Sequence, residues 1–372
     1  MRTPSPEATR ASDLEACRAL LRHGSKSFFA ASLLLPRSVR EPATALYAFC
    51  RVADDAVDTT DDPQAALRLL HQRLDRIYAA RGLTDPVDRA VSEVIIWFAL
   101  PRPVFDALLD GFAWDAEGRR YDDLSSVLAY SARVAATVGV LMTLLMGERD
   151  PETLARACDL GVAMQLTNIA RDVGEDARNG RLYLPRDWLR AEGIDPDQWL
   201  AAPVFDARVG RVVERLLKVA DGLYERSRAG ISDLPADCRA AIQAARLVYA
   251  EIGRIVAAGG YDSVTGRAVV PGRRKLALVA RACAPSWLAR SRRAEPALEE
   301  VNFLIDAVRR ERRRALARAP ESFTWLRPMK GFRRRTVGVV ELFERVLARE
   351  HETSASFPDA FTMSGARQAE PT

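Results

Sequence analysis

Apolar residues recur along most of the chain at steps of three and four, and strictly alternating runs are nearly absent. That period is helical, so the pattern predicts an all-α fold. Leu46, Phe49, Ala53 and Val57 form one apolar stripe, in a helix that Ser38 and Glu41 open with capping-box spacing. Ser12 and Glu15 repeat that spacing before a helix that Gly24 stops. Asp62-Pro63 opens a helix to about Ala80, and Asp150-Pro151 opens another with proline at the first helical position. Helical patterns also fit Pro86–Leu100, Pro103–Gly118, Val204–Gly230, Ala236–Ala258 and Leu276–Arg290. Tyr121–Leu145 is a nearly apolar helix whose small residues permit close approach of a ligand or of a neighbouring helix. Gly180–Leu200 reads as a connector, Gly259-Gly260 as a break and Arg267–Leu276 as a short basic stretch. From about Ser291 dense positive runs take over, Arg309–Arg314 and Arg333–Arg335, among Phe323, Trp325 and Phe332. The expected organisation is a helical domain over 11–290 and a basic extension over 291–372, disordered from Thr353.

Two sets of polar positions lie against this apolar background. Gln165, Asn168, Asp172 and Asp176 follow one another at steps of three and four, which places them on one helix face. Asp54 and Asp58 are again four apart, beside the stripe of Phe49, Ala53 and Val57, with Arg51 one turn earlier. Two like charges one turn apart cost a bare helix roughly 0.2–0.5 kcal/mol, so removing one aspartate is expected to relieve repulsion. A hard cation between the carboxylates reverses the sign, because Mg²⁺ takes oxygen ligands from one or two carboxylates plus a phosphate. Each stripe alone is equally a solvated helix face. Two acidic walls across an oily cavity would hold a polyphosphate through bridging metals, and the cavity would take the hydrocarbon that the phosphate carries. Arg51 and Arg171 precede the carboxylates and can add charge-assisted bonds to phosphate. An intrahelical salt bridge is the other reading for each, although Arg171, adjacent to Asp172, is not expected to face it.

Composition narrows the field without changing the picture. The chain has 372 residues, 48% hydrophobic and 28% charged, with a net charge of +5. That is globular material, mildly suited to an anionic substrate or surface. Five scattered cysteines without a Cys-x-x-Cys, and a polar start, read as reduced thiols in the cytoplasm. No run is expected to span a bilayer. His23, His71 and His351 are too separated for a zinc site or a hydrolase triad, and neither a P-loop nor a dinucleotide fingerprint is present. The basic runs read as a peripheral contact with the inner membrane surface or as a solvated extension. A nucleic-acid partner is not expected.

Tyr47-Ala48-Phe49-Cys50-Arg51-Val52-Ala53-Asp54-Asp55-Ala56-Val57-Asp58, Gln165 to Asp176, and Gly180-Arg181-Leu182-Tyr183-Leu184-Pro185 together resemble the squalene/phytoene synthase family, closest to its bacterial phytoene synthases. The resemblance runs from about Gly24 to Ala280. It implies a single large helical domain of the class I isoprenoid synthase type with a central apolar cavity. It implies head-to-head condensation of two geranylgeranyl diphosphates to phytoene, through a cyclopropylcarbinyl diphosphate. By motif position, Asp54, Asp58, Asn168, Asp172 and Asp176 would bind Mg²⁺, with Mn²⁺ as a substitute. Arg51, Gln165, Arg171, Arg267, Tyr130 and Tyr249 would hold diphosphate or the reacting carbons. Tyr47 and Phe28 offer aromatic faces to positive charge or are simply core, and Ser25 lies in a Ser-Lys-Ser-Phe segment that matches the family's. Some members have His directly before that serine; here it is Gly24, so no histidine is carried over. Val134 to Gly139 matches a cavity-lining segment, with Ala136 where glycine is common. NADPH is not expected for phytoene formation. The alternatives are a squalene or dehydrosqualene synthase acting on farnesyl diphosphate, and a non-catalytic helical assembly factor, which would be expected to lose an aspartate pair.

Overall fold

The computed structural model describes residues 6–24, 32–58, 60, 62–284 and 295–318. By compactness the chain divides into 1–330 and 331–372, and every described residue belongs to the first unit. Among the described residues all regular elements are helices. They are α1 (Pro6–Gly24), α2 (Arg37–Asp58), α3 (Pro63–Ala79), α4 (Pro86–Phe98), α5 (Arg102–Ala116), α6 (Leu124–Ser131), α7 (Thr137–Leu145) and α8 (Pro151–Arg178). After these come α9 (Arg186–Ala191), α10 (Pro196–Ala201), α11 (Ala207–Asp233), α12 (Ala236–Ala258), α13 (Gly272–Ala282) and α14 (Asn302–Arg318).

Asp-Pro is the recurrent start signal. Asp62, Asp85, Asp150 and Asp195 each accept backbone N–H bonds of the first turn, with proline just inside the helix. The capping boxes expected at Ser12 and Ser38 are not the starts. α1 begins before Ser12. In α2 the Pro36 carbonyl takes the N–H groups of Val39 and Arg40, while Glu41 is engaged by Arg37 at 2.5 Å and Arg18 at 3.1 Å. A tertiary partner has taken the carboxylate that the local motif needs.

α8 is the central helix. It packs along α11 and against α6, α7, α12 and the five-residue π-helical segment Ala132–Ala136 that joins α6 to α7. Small residues set these distances: a β-carbon on Gly161 would lie 2.6 Å from Ala135 O, and one on Gly139 would lie 2.6 Å from Ala157 O. For Gly139, therefore, the close approach is to a neighbouring helix. The expected continuous helix over Tyr121–Leu145 starts instead at Leu124, after the Asp123 cap, and is interrupted by that π turn, which adds one residue to a turn without changing the apolar pattern. Leu124–Leu145 is also long and apolar enough to cross a membrane by composition, contrary to expectation, but 61% of its apolar window is buried inside the bundle.

Three further expectations are corrected. The connector over 180–200 contains α9 and α10, and the helix expected over Leu276–Arg290 is α13, which ends at Ala282 and is followed in the core by α14. The extension expected from residue 291 is part of the bundle over much of its first stretch. Val301, Leu304, Ile305, Ala307 and Val308 are buried in the core. Pro296 O accepts from Arg226 at 2.7 Å, and Arg226 and Arg156 also hold the fully buried Asp159 at 3.1 and 3.0 Å. Arg333–Arg335 and residues 353–372 lie outside the described residues.

Candidate active site

α2 buries Leu46, Phe49, Ala53 and Val57 and leaves Arg51, Asp54, Asp55 and Asp58 accessible to solvent. Arg51 gives most of its charge to Asp55, at 2.6 Å, and stands 3.9 Å from Asp54. Asp58 receives Arg181, from beyond the end of α8, at 3.0 Å. On α8, Asp172 is held from two sides. Arg171 donates to it through both Nε and Nη2, and Arg267 Nε donates to Oδ1 at 2.7 Å. The expectation that Arg171 cannot reach its neighbour is corrected: the adjacent-residue rule concerns where Cβ atoms point, and a long guanidinium curls back around the helix. Among the described residues no ion pair neutralises Asp176.

The electrostatics join the two helices. Burial pushes the Asp54 carboxyl up to about 6, and Asp58 adds to the rise. Burial pushes Asp176 up to about 7, with Asp172 adding repulsion. Asp115, at the end of α5, repels both of them. Burial also acts to raise Asp172, but the hydrogen bonds from Arg171 and Arg267 outweigh it and hold that carboxyl below the usual range. The two aspartate pairs thus share one strongly negative region in which Asp172 is satisfied and Asp54 and Asp176 are not.

A backbone strap fixes Arg267 in place. Gly174 N donates to Ser263 O at 3.0 Å, Arg178 Nη1 donates to Val264 O at 3.2 Å, and Asp262 Oδ1 accepts from the N–H groups of Val264 and Thr265. A β-carbon on Gly174 would lie 2.1 Å from Val264 O, so only glycine lets the strap cross here, between Asp172 and Asp176.

The remaining sequence candidates distribute unevenly. Asn168 Nδ2 donates to Gln165 Oε1 at 3.4 Å on the helix that carries Asp172. Tyr249, on α12, is half-buried and close enough for the charges of Arg171 and Asp172 to act on its phenol. Tyr47 is half-buried one turn before Arg51. Tyr130 is buried and its hydroxyl donates to Asp115 at 2.8 Å. Ser25 and Phe28 lie outside the described residues. Val134, Met142 and Met164 stay only half-buried although they belong to central elements packed against the core. Sequence reasoning assigned no role to Asp115, Arg181, Tyr183 or Gly174. Arg181 and Tyr183 stand inside a quoted motif; no spacing rule singles out Asp115.

The donor set fits a hard cation. It consists of carboxylate and amide oxygens, and a cation would relieve the repulsion that Asp58 and Asp172 add to the burial of Asp54 and Asp176. Among the described residues no group of three or more His, Cys, Asp or Glu side chains is arranged to hold a metal ion by itself.

Residues 21–274 match the family model of squalene/phytoene synthase. The chain is 57% identical over 274 residues to a phytoene synthase of Cereibacter sphaeroides, covering 71% of this chain and 77% of that one. It is 55% identical over 303 residues to a phytoene synthase of Rhodobacter capsulatus, covering 79% and 89%. Among solved structures, a dehydrosqualene synthase in complex with ligand superposes with a TM-score of 0.68 at 33% identity, covering 75% of this chain and 98% of that one. The squalene synthase HpnC from Alicyclobacillus acidocaldarius gives a TM-score of 0.64 at 29% identity, covering 68% and 95%.

Proposed function

The chain belongs to the squalene/phytoene synthase family, is a prenyl-transferring enzyme and uses a prenyl diphosphate, and from that premise we propose that its substrate is geranylgeranyl diphosphate. Two molecules condense head to head to phytoene, the first committed step of carotenoid biosynthesis. The observation that carries the reading is the acidic region that α2 and α8 share, in a chain more than half identical to phytoene synthases.

In this proposal Asp54, Asp58, Asn168, Asp172 and Asp176 hold Mg²⁺, with Mn²⁺ as a substitute. The metal supplies Lewis-acid stabilisation of the departing diphosphate. Arg51, Arg171 and Arg267, already turned towards aspartates, provide charge-assisted bonds to its oxygens, and Gln165 orients it. The half-buried Val134, Met142 and Met164 give the prenyl chains an apolar wall that excludes water from the cation. Tyr47 and Tyr249 present aromatic faces to it. Phytoene forms by loss of a proton, so no reductant such as NADPH enters.

Incubation with geranylgeranyl or farnesyl diphosphate plus Mg²⁺, followed by solvent extraction, tests the proposal. Phytoene from the longer substrate is the expected product. A predominant hydrocarbon from farnesyl diphosphate would instead place the chain with dehydrosqualene or squalene synthases.

The product has no polar head, and burying each of its CH₂ groups is worth about 0.8 kcal/mol. The exposed Arg309, Arg310 and Arg313 of α14 supply positive charge for a peripheral contact with anionic lipid. Sedimentation with anionic vesicles should decline as salt rises. Binding that ignores salt, or matches that to neutral vesicles, removes this part of the proposal.

A further inference from the structure

Residues Ala132–Ala136 form a π turn, closed by the bond from Thr137 N to Ala132 O. Within it the Thr137 hydroxyl donates to Arg133 O at 2.5 Å. A π turn carries one residue more than an α turn and is rare, so contacts from elsewhere have to hold it. Two of these are close backbone approaches. A β-carbon on Gly111 of α5 would lie 2.6 Å from Val134 Cγ1 and 3.2 Å from Arg133 Cβ. On α8, Gly161 leaves the room that Ala135 O and Ala136 Cα occupy.

The third contact is the Arg133 side chain. Its guanidinium lies over Trp114 of α5, 4.1 Å from the ring centroid, and 5.3 Å from the ring centroid of Phe303 in α14. Arg119 lies over the same indole at 3.7 Å, and two cations that close take opposite faces of it. Arg133 Nη1 donates to Ala129 O at 3.0 Å, but Nε is buried without a hydrogen-bond partner among the described residues. A buried donor left unused costs stability, and stacking on Trp114 and Phe303 is what offsets it. Phe303 is itself held in place. Val301, Leu304 and Ile305 around it are buried in the core, and Glu300 Oε1 accepts from Ser125 Oγ of α6 at 2.6 Å. Phe303 lies beyond the residues that match the family model.

An α-helix turns by about 100° per residue, so relaxing the π turn to α would rotate α7 by about that much relative to α6. The angle between Val134, inside the turn, and Met142, beyond it, would change with it. We propose that Arg133 is a positioning residue: held on Trp114 by Phe303, it keeps the π turn and so sets how Val134 and Met142 meet the prenyl chain. This rests on the reading above in which those two side chains form part of the prenyl wall. A segment outside the shared core thereby tunes chain-length preference without touching substrate.

Phe303→Leu keeps an apolar side chain without the ring, and Arg133→Lys keeps the charge without the planar group that stacks. Each should raise KM for geranylgeranyl diphosphate by about fivefold or more, with kcat changed by less than about twofold. In an equimolar mixture of geranylgeranyl and farnesyl diphosphates, the share of farnesyl-derived hydrocarbon should rise in step. Adding Phe303→Leu to Arg133→Lys should cost less than about twofold more, because the contact is already gone. Phe303→Tyr keeps the ring and should restore KM to within about twofold of wild type. A lower melting temperature with KM and preference unchanged overturns the proposal, since Arg133 is then only packing. Fully additive losses, or a Phe303→Tyr variant as impaired as Phe303→Leu, overturn it too. Amide exchange at Thr137, whose N–H closes the π turn, gives a readout independent of turnover. In Phe303→Leu it should speed by about tenfold or more relative to amides of α11, and an unchanged rate overturns the clamp. Should Arg133→Lys fail to fold, the Phe303 variants and this exchange decide. Wild-type protein that forms no hydrocarbon from any prenyl diphosphate defeats the parent reading, and the exchange result then decides whether Phe303 holds the turn.

Discussion

Asp54→Asn and Asp172→Asn are each expected to lower product formation by about 10²–10³, the cost of removing one preorganised group that stabilises transition-state charge. Their effects on melting should differ in sign. Spacing alone expects relief of repulsion in both. In the structure only Asp54 is pushed up by burial and by Asp58, so its neutral isostere should melt at the same temperature or higher. Asp172 is held low by Arg171 and Arg267, and a carboxylate so depressed contributes stability above its unfolded pKa. Asp172→Asn should therefore melt lower, with two guanidinium groups left without their partner. Near-normal turnover in either variant would remove that aspartate from the metal site. Equal melting shifts in both would contradict the asymmetry between the pairs.

The second large effect is on metal-linked stability. Asp54 and Asp176 have folded-state values of about 6 and about 7, above the roughly 3.9 of an unperturbed aspartate. A carboxyl raised on folding stabilises the protein below its unfolded pKa, and that contribution disappears as pH rises through the folded value. The metal-free protein should therefore lose stability between about pH 4 and pH 7 from these two groups. Mg²⁺ binds the ionised forms, so it competes with protons. Millimolar Mg²⁺ with inorganic pyrophosphate should raise the melting temperature by several degrees at pH 8 and hardly at pH 5. Excess chelator should abolish both this shift and turnover. A Mg²⁺ shift independent of pH, or turnover that survives chelation, would contradict the carboxylate site.

Much of this was legible in the sequence because it depends on local geometry. Helical period and Asp-Pro starts located most elements, and steps of three and four put Gln165, Asn168 and Asp172 on one face. What sequence missed depends on partners brought from elsewhere. Glu41 has capping-box spacing, yet Arg18 and Arg37 hold it. Asp115 carries no local mark, and the phenols that bond it, Tyr130 and Tyr183, are distant in sequence. Val301, Leu304, Ile305 and Val308 do have helical period, but the arginine-rich run that follows them masked a core segment. The π turn at Ala132–Ala136 leaves the apolar pattern unchanged and so leaves no trace in it.

The strap over Gly174 sets the order in which the protein becomes competent during synthesis. Asp172 and its partner Arg267 are 95 residues apart, and Asp58 and Arg181 are 123 apart. At about 5–20 residues per second, Arg267 is made on the order of five to twenty seconds after Asp172. In that interval α8 can already bury its apolar side against α6 and α7, while Asp172 lacks the guanidinium that the strap delivers. The nascent chain therefore passes through a stage with a largely formed bundle and an incomplete acidic centre. Competence arrives with the closing of a long loop, whose entropy grows only by about 0.6 kcal/mol per doubling of length. A chain released before residue 267 would be a bundle without the finished centre.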